Sequence, residues 1–323
     1  MSEQQDALPR LDTVMGLNQL LEEERQALEA NFVVNPQSRE GVERKVAGLT
    51  TVLPEESALA QDFDGTASED DGENGTWQST GTELPDGIHK QLDAILRVVF
   101  SAHKDGNGNR KLTAAEHNLW ARLLLPLYEG QPEALFTRAA GRIALRFGFP
   151  ELNQECVAGQ MEHHIVSAGL ENVITERLKC VAGLGNVAIF GHHLPIHERT
   201  TESGIVVRTI GFYAGELING ETKHQYINQV KQARQAAGRP LKKLIINGNE
   251  PTDAGMGAGV FDPDDILAIC VAEAGTHGEI SQAYQEKMFS GPHPYDLIIR
   301  NNDVGLMPLV WFMRNFIGTN LPK

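Results

Sequence analysis

An α/β fold with a mostly parallel central sheet flanked by helices is what this sequence predicts. From Ile88 onward, short apolar runs rich in Val, Ile and Leu alternate with longer segments of helical periodicity. Parallel strands require such helical crossovers, which bury both faces of the sheet. Of the 323 residues, 41% are apolar, enough for a substantial core.

The first segment with a clear period is DTVMGLNQLLEEERQALEAN (residues 12–31), where Val14, Leu17, Leu20, Leu21 and Leu28 fall near one helical face. Residues 1–50 therefore read as a helical extension. Residues 51–87 read as an acidic, flexible and disordered linker. Between Lys45 and Lys90 there is no Lys or Arg and there are ten Asp or Glu, and apolar residues are sparse from Ser57 to Asp86. Residues 88–323 form the main domain. Within it ILRVVFSA reads as a strand, LTAAEHNLWARLLLPLY and PEALFTRAAGRIALRF as helices, and ELNQECVAGQMEHHIVSAGLENVITERLKCVAG as one long, glycine-interrupted helix. NVAIFG and GIVVRTIGFYAG follow as strands, HQYINQVKQARQAA as a helix and LKKLIING as a strand. DPDDILAICVAEAG reads as a helix with Asp262 as N-cap and Pro263 in its first turn, and YDLIIRN and LVWFM are the last strands.

Composition excludes several classes of function. No run of about 18 uncharged apolar residues exists, and MSEQQDALPR lacks the basic and apolar regions of a signal peptide. A cytoplasmic protein with no transmembrane segment is expected. The net charge of −15 argues against a nucleic-acid partner. Cys156, Cys180 and Cys270 are far apart and form no CxxC, so they read as small core residues rather than as a disulfide framework or zinc site.

A few short stretches bear on chemistry. DFDGT (residues 62–66) matches the phosphoryl-transfer signature of haloacid dehalogenase-like enzymes. That chemistry needs an apolar strand to deliver the first aspartate, and SALAQ before Asp62 is a poor strand, so the segment is assigned to the linker. HKDGNGNRKLTAAE (residues 103–116) has two readings. Counted from Asp105, it puts oxygen-bearing side chains at the first, third, fifth, ninth and twelfth positions of a calcium loop (Asp105, Asn107, Asn109, Thr113, Glu116). Arg110 then occupies the sixth, where the bend wants Gly. As a turn after a strand, Gly106 and Gly108 turn backbone amides toward an anion, Asp105 ligates a divalent ion and Arg110 pairs with phosphate oxygens. Arg300 ends the strand YDLII, where a buried guanidinium needs an anionic partner, and Asn301, Asn302 and Asp303 follow. GHHLPIH brings His192, His193 and His197 together, but Pro195 interrupts a metal-binding helix. GMGAG (residues 255–259) lacks the GK[ST] of a phosphate loop and reads as a mobile flap.

DGNGNR, EGQPEALFTRAAGRIALRFGF, GIVVRTIGFYAGELI and PYDLIIRNNDVGLMPLVWFM together resemble the cis-prenyltransferases, over roughly residues 95–318. The resemblance implies that residues 88–323 are a catalytic domain of that fold and that the protein is a homodimer. It also implies that Asp105 works with Mg2+ on an allylic diphosphate held by Gly106, Asn107, Gly108 and Arg110. Arg300, with Asn302 beside it, takes the second diphosphate position, and Asp303 is a further metal ligand. The sequence departs from the family at Gln131, where the family has histidine, and at Glu216, where it has arginine. Past Arg300 it lacks the second arginine and the serine that clamp isopentenyl diphosphate. The expected function is Mg2+-dependent ionisation of farnesyl or geranylgeranyl diphosphate, followed by cyclisation or elimination as in a terpene synthase, or by transfer to another acceptor. A chain-elongating enzyme, its non-catalytic partner subunit and a calcium-binding protein are the alternatives.

Overall fold

The computed structural model describes residues 22–69, 75–101, 114–272 and 278–317. In chain order the elements are α1 (Glu22–Asn31), β1 (Phe32–Val34), α2 (Arg39–Thr50), β2 (Ser57–Gln61), α3 (Thr76–Thr82), α4 (Asp86–Ser101), α5 (Ala114–Leu124), α6 (Ala134–Ala140) and α7 (Phe149–Ala158). Then follow β3 (Glu162–Leu170), α8 (Glu171–Lys179), β4 (Ala188–His192), β5 (Ile196–Thr200), β6 (Val206–Ile210), α9 (Lys223–Ala236), β7 (Lys243–Gly248), β8 (Ile266–Cys270), α10 (Gln282–Phe289), β9 (Leu297–Ile299) and α11 (Met307–Phe316).

Seven strands form the main sheet in the order β1-β9-β8-β7-β2-β3-β4, and every pairing is parallel except β1 with β9. The expected α/β architecture with a mostly parallel sheet is present. Alternating side chains feed two cores. Leu59, Ile165, Ile245, Leu267 and Ile269 enter one, while Ala58, Ala60, Val166, Leu244, Ile246 and Cys270 enter the other. That alternation is the two-residue period of a strand buried on both faces. β5 and β6 form a separate antiparallel pair.

The chain runs from β2 outward to β3 and β4, then returns to place β7 on the other side of β2. The strand order thus reverses beside β2, the point where open α/β sheets hold a crevice between the carboxyl-end loops, here those of β2 and β7. The connection between β2 and β3 carries α3 to α7, a helical unit inserted next to that crevice.

Several sequence expectations are corrected. SALAQ, assigned to a linker, is β2, buried at all five residues and hydrogen-bonded to β3 on one edge and β7 on the other. Its weak intrinsic β-propensity is overridden by pairing on both edges. The helical extension also contributes to the sheet, through β1. ILRVVFS lies within α4, where Ile88, Leu92 and Ile95 continue one helical face from further upstream. The long helix over residues 151–183 is instead helix, strand and helix: α7 ends at Gly159, Gln160 takes a positive φ of 55°, and EHHIVSAGL becomes β3. Asp262 does cap a turn, accepting the Asp264 N–H, but ILAIC after it is strand β8, held by β7 and β9. LVWFM belongs to α11, whose buried Leu309, Val310, Phe312, Met313 and Phe316 follow a helical spacing. Of the three cysteines, Cys156 and Cys270 are buried and Cys180 is exposed. No helix among the described residues is long and apolar enough to cross a membrane.

A polar chain runs through the sheet under the crevice. Asn247 donates to the Ile269 carbonyl (3.2 Å), Gln61 donates to Asn247 Oδ1 (2.8 Å), and the His163 ring sits between Gln61 Oε1 (3.0 Å) and Asn153 Oδ1 (3.1 Å). These bonds tie β8, β7, β2 and β3 together one residue before Asp62. A network of this kind penalises any slip of register, because a slip orphans several buried amides.

Candidate active site

Immediately after β2 the chain turns through Asp62-Phe63-Asp64-Gly65-Thr66. Asp62 continues the strand line, its N–H donating to the Asn247 carbonyl of β7 (2.9 Å). Asp64 (φ −68°, ψ 122°) and Gly65 (φ 75°, ψ −4°) are the two central residues of a type II turn. The second of these positions requires a positive φ, which is why a glycine follows the second aspartate. Arg146, 5% exposed, grips this turn from behind. Its guanidinium donates to the carbonyls of Thr66 (3.0 Å), Gly65 (2.7 Å) and Ala272 (3.2 Å). Arg146→Leu leaves three buried carbonyls without their donor, and urea unfolding should show a loss of roughly 2 kcal/mol or more.

Three other loops converge on the turn. Lys223, the first residue of α9, places its ammonium 2.5 Å from Asp62 Oδ1 and 2.7 Å from Asp253 Oδ1, and all three side chains are buried. Asp253, beyond β7, is held in turn by the N–H groups of Asn249 (3.2 Å) and Glu250 (3.0 Å) on its Oδ2. Thr66 donates to Asn249 Oδ1 (3.1 Å), linking the β2 and β7 loops directly. At the end of β3, Ser167 Oγ accepts from the Gly169 N–H (2.9 Å). A Cβ at Gly169 would fall 2.9 Å from Asp64 Oδ2, 3.0 Å from Ser167 Oγ and 2.2 Å from Thr76 Oγ1. Only glycine admits this close approach, and it brings the Ser167–Gly169 stretch of β3 against Asp64. Asp64 Oδ1 and Oδ2 accept from the N–H and hydroxyl of Thr76, each at 2.9 Å.

The electrostatics follow from burial and from two acids sharing one base. Burial raises Asp62 from 3.8 to about 7; Lys223 opposes the rise, while Asp253 and Asp64 add to it. Burial works against the Lys223 ammonium as well, yet the charges and hydrogen bonds of Asp253 and Asp62 outweigh it and hold the group above its ordinary range. The lysine remains a fixed positive charge between the two carboxylates.

Arg300, Asn302 and Asp303, singled out in the sequence, lie elsewhere. Asp105, Gly106, Asn107, Gly108 and Arg110 are outside the described residues. Arg300 follows β9, with β8 and β7 between it and β2. It finds backbone carbonyls rather than an anion: its guanidinium donates to Glu29 O (3.0 Å) and Phe32 O (3.3 Å). Asn302 and Asp303 sit in the one-turn helix Asn302–Val304, and exposed Asp303 accepts the Gly278 N–H at 3.3 Å. His192 is buried, whereas His193 and His197 are exposed, and His193 pairs with Glu171 (3.0 Å). No group of three or more His, Cys, Asp or Glu among the described residues is placed to hold a metal. GMGAG packs directly after Asp253, with Met256 and Gly257 buried. A cavity of about 510 Å3 lies beside α6, α8 and the β5–β6 pair, lined by residues such as Glu133, Thr137, Glu176, Lys179 and Arg208. None of the groups converging on Asp62 lines it, and the chemistry is assigned by side-chain convergence rather than by cavity size.

No family model matches the sequence, and no curated protein matches it. Solved structures do. Cytosolic 5'-nucleotidase IIIB bound to cytidine superposes with a TM-score of 0.64 at 18% identity, covering 90% of this chain and 95% of that one. A HAD-family hydrolase from Salmonella enterica serovar Typhi gives 0.52 at 18% identity, over 98% and 85% of the two chains. A probable phosphoserine phosphatase from Vibrio cholerae gives 0.53 at 14%, over 82% and 66%. The fold is that of the HAD hydrolases. The cis-prenyltransferase resemblance is overturned by these neighbours, and with it prenyl diphosphate as substrate, the transferase and terpene synthase activities and the calcium alternative. In this chain DFDGT stands at the carboxyl end of β2, a strand inside the sheet with a neighbour on each edge. The motif itself was legible. What hid it was the composition of SALAQ, in which small residues serve as strand because both edges are paired.

Proposed function

We propose that the protein is a phosphomonoester hydrolase that works through a phosphoaspartyl intermediate on Asp62. The observation that carries this is Lys223 bridging Asp62 and Asp253 at the sheet's switch point, with Asp64 two residues beyond the first aspartate. In the reaction, an oxygen of Asp62 attacks phosphorus and the P–O bond to the leaving alcohol breaks. Asp64, aimed by Thr76, gives its proton to the departing oxygen. As a carboxylate it then takes a proton from the water that attacks the aspartyl phosphate, which releases phosphate and restores Asp62. The Lys223 ammonium and the Ser167 hydroxyl stabilise charge on the phosphoryl oxygens.

Magnesium suits the oxygen donors on this rim. The Asp62 carboxylate and the Asn249 amide oxygen are hard ligands, and the Thr66 bond turns that oxygen toward the 62–66 loop. When bound, the ion neutralises phosphate charge and favours displacement at phosphorus. The substrate class is a small phosphomonoester. The nucleotidase and the probable phosphoserine phosphatase of the same fold support nucleoside monophosphates and phosphoserine as the first compounds to assay. Phosphate release from these and from p-nitrophenyl phosphate should require Mg2+ and stop with EDTA. Release from none of them in the presence of Mg2+ would sink the assignment.

A further inference from the structure

Helix α5 belongs to the inserted helical unit, yet two of its side chains reach the loops that carry the reacting groups. Trp120, buried, packs edge-on against Trp77, with ring centroids 4.8 Å apart and planes at 71°. Trp77 directly follows Thr76, which supplies two hydrogen bonds to the Asp64 carboxylate. Its indole N–H donates to the Ala168 carbonyl (3.0 Å), inside the stretch of β3 where pairing with β4 shifts register. One rigid ring therefore anchors both sides of Asp64, and α5 backs that ring.

The second connection starts two residues earlier. Asn118 Oδ1 accepts from Asn219 Nδ2 at 2.9 Å. Asn219 is 3% exposed, and its own Oδ1 accepts the N–H groups of Glu221 (2.8 Å) and Thr222 (3.1 Å). Its carbonyl accepts the Lys223 N–H (3.2 Å). Asn219 thus shapes the turn from which the Lys223 side chain enters the site, and Asn118 fixes Asn219.

We propose that Asn118 and Trp120 are positioning residues that set Lys223 and Asp64, respectively, against Asp62, so that catalytic alignment depends on where α5 sits. This rests on the phosphatase reading of the site. Neither residue is placed to contact the phosphoryl group. Both act through a second side chain, and displacement of reacting groups by about 1 Å costs on the order of a hundredfold in rate. Loss of either contact lowers kcat and leaves substrate binding largely alone.

The test uses the full chain with p-nitrophenyl phosphate and Mg2+, whose small leaving group asks little of the helical unit. Asn118→Ala should lower kcat about tenfold with KM within about twofold. Asn219→Ala should do the same, and the double variant should be no slower than the slower single one, because the two residues share a path. Trp120→Phe keeps the edge contact and should retain activity, while Trp120→Ala should lose about tenfold and multiply with Asn118→Ala, since the branches are separate. Of the three tryptophans, Trp77→Phe and Trp120→Phe should each remove the same near-ultraviolet circular dichroism band, and Trp311→Phe should leave it. Wild-type kcat in both Asn118→Ala and Trp120→Ala, or losses that merely track the folded fraction at the assay temperature, would overturn the proposal. An inactive wild type would instead overturn the phosphatase reading. Additive melting shifts in the Asn118/Asn219 set would then still refute the coupling.

Discussion

Asp62→Asn is expected to reduce phosphomonoester hydrolysis by about 10^4-fold or more while leaving the fold at least as stable as the wild type. The rate loss follows from the proposed role of Asp62 as the residue whose carboxylate takes the phosphoryl group, since removal of a covalent nucleophile leaves only binding and charge stabilisation. The stability follows from burial. Asp62 has an ordinary value of 3.8 and stands at about 7 in the fold, raised mainly by burial. A carboxyl whose value rises on folding favours the fold in its protonated form, and that contribution disappears as pH rises through the folded value. Metal-free wild type should therefore lose stability from about pH 4 to 7 relative to Asp62→Asn, which has no proton to lose there. Thermal melts of both proteins in EDTA across that range measure the difference. A wild type that gains stability on Asp62→Asn over the same interval would show that Lys223 dominates burial at this carboxylate.

Lys223→Met should be the most destabilising single change in the site. It leaves Asp62 and Asp253, which share the ammonium at 2.5 and 2.7 Å, as two buried carboxylates without a counter-ion. Breaking a buried pair by removing one partner costs about 3–5 kcal/mol, because the remaining charge keeps its desolvation penalty. Here two acids are stranded by one substitution. Urea unfolding should show a loss of that size, and hydrolysis should vanish even in the folded fraction. Adding Asp253→Asn to Lys223→Met removes one stranded charge and should recover part of the stability but none of the activity. Stability of Lys223→Met within about 1 kcal/mol of wild type would mean that the two buried acids take up protons once the ammonium is gone, so that no charge is stranded.

Local periodicity accounts for much of the architecture. β4, β7 and β9 and helix α9 coincide with the apolar runs and the helical period that announce them, and from these the α/β class follows. The failures share a cause. EHHIVSAGL and ILAIC lie in sequence beside helix-like segments and took their character, whereas ILRVVFS is the end of an amphipathic helix seen through too short a window. Strand state in these cases depends on edge partners, and no local window contains those.

By itself, then, the sequence determined the fold class, the turn at Asp64-Gly65 through its glycine, and the presence of two aspartates in a phosphoryl-transfer signature. The tertiary structure decided which groups those aspartates meet. Lys223 lies 161 residues from Asp62, and Asp253 a further 30 along. They meet because β7 returns to pair beside β2 and because Asn219 turns the chain into α9. Arg300 shows the reverse: a guanidinium that seemed to require an anion finds the carbonyl groups of Glu29 and Phe32. Which charge a buried side chain meets is set by strand order and register, interactions among residues far apart in the chain, and these form only when the sheet does.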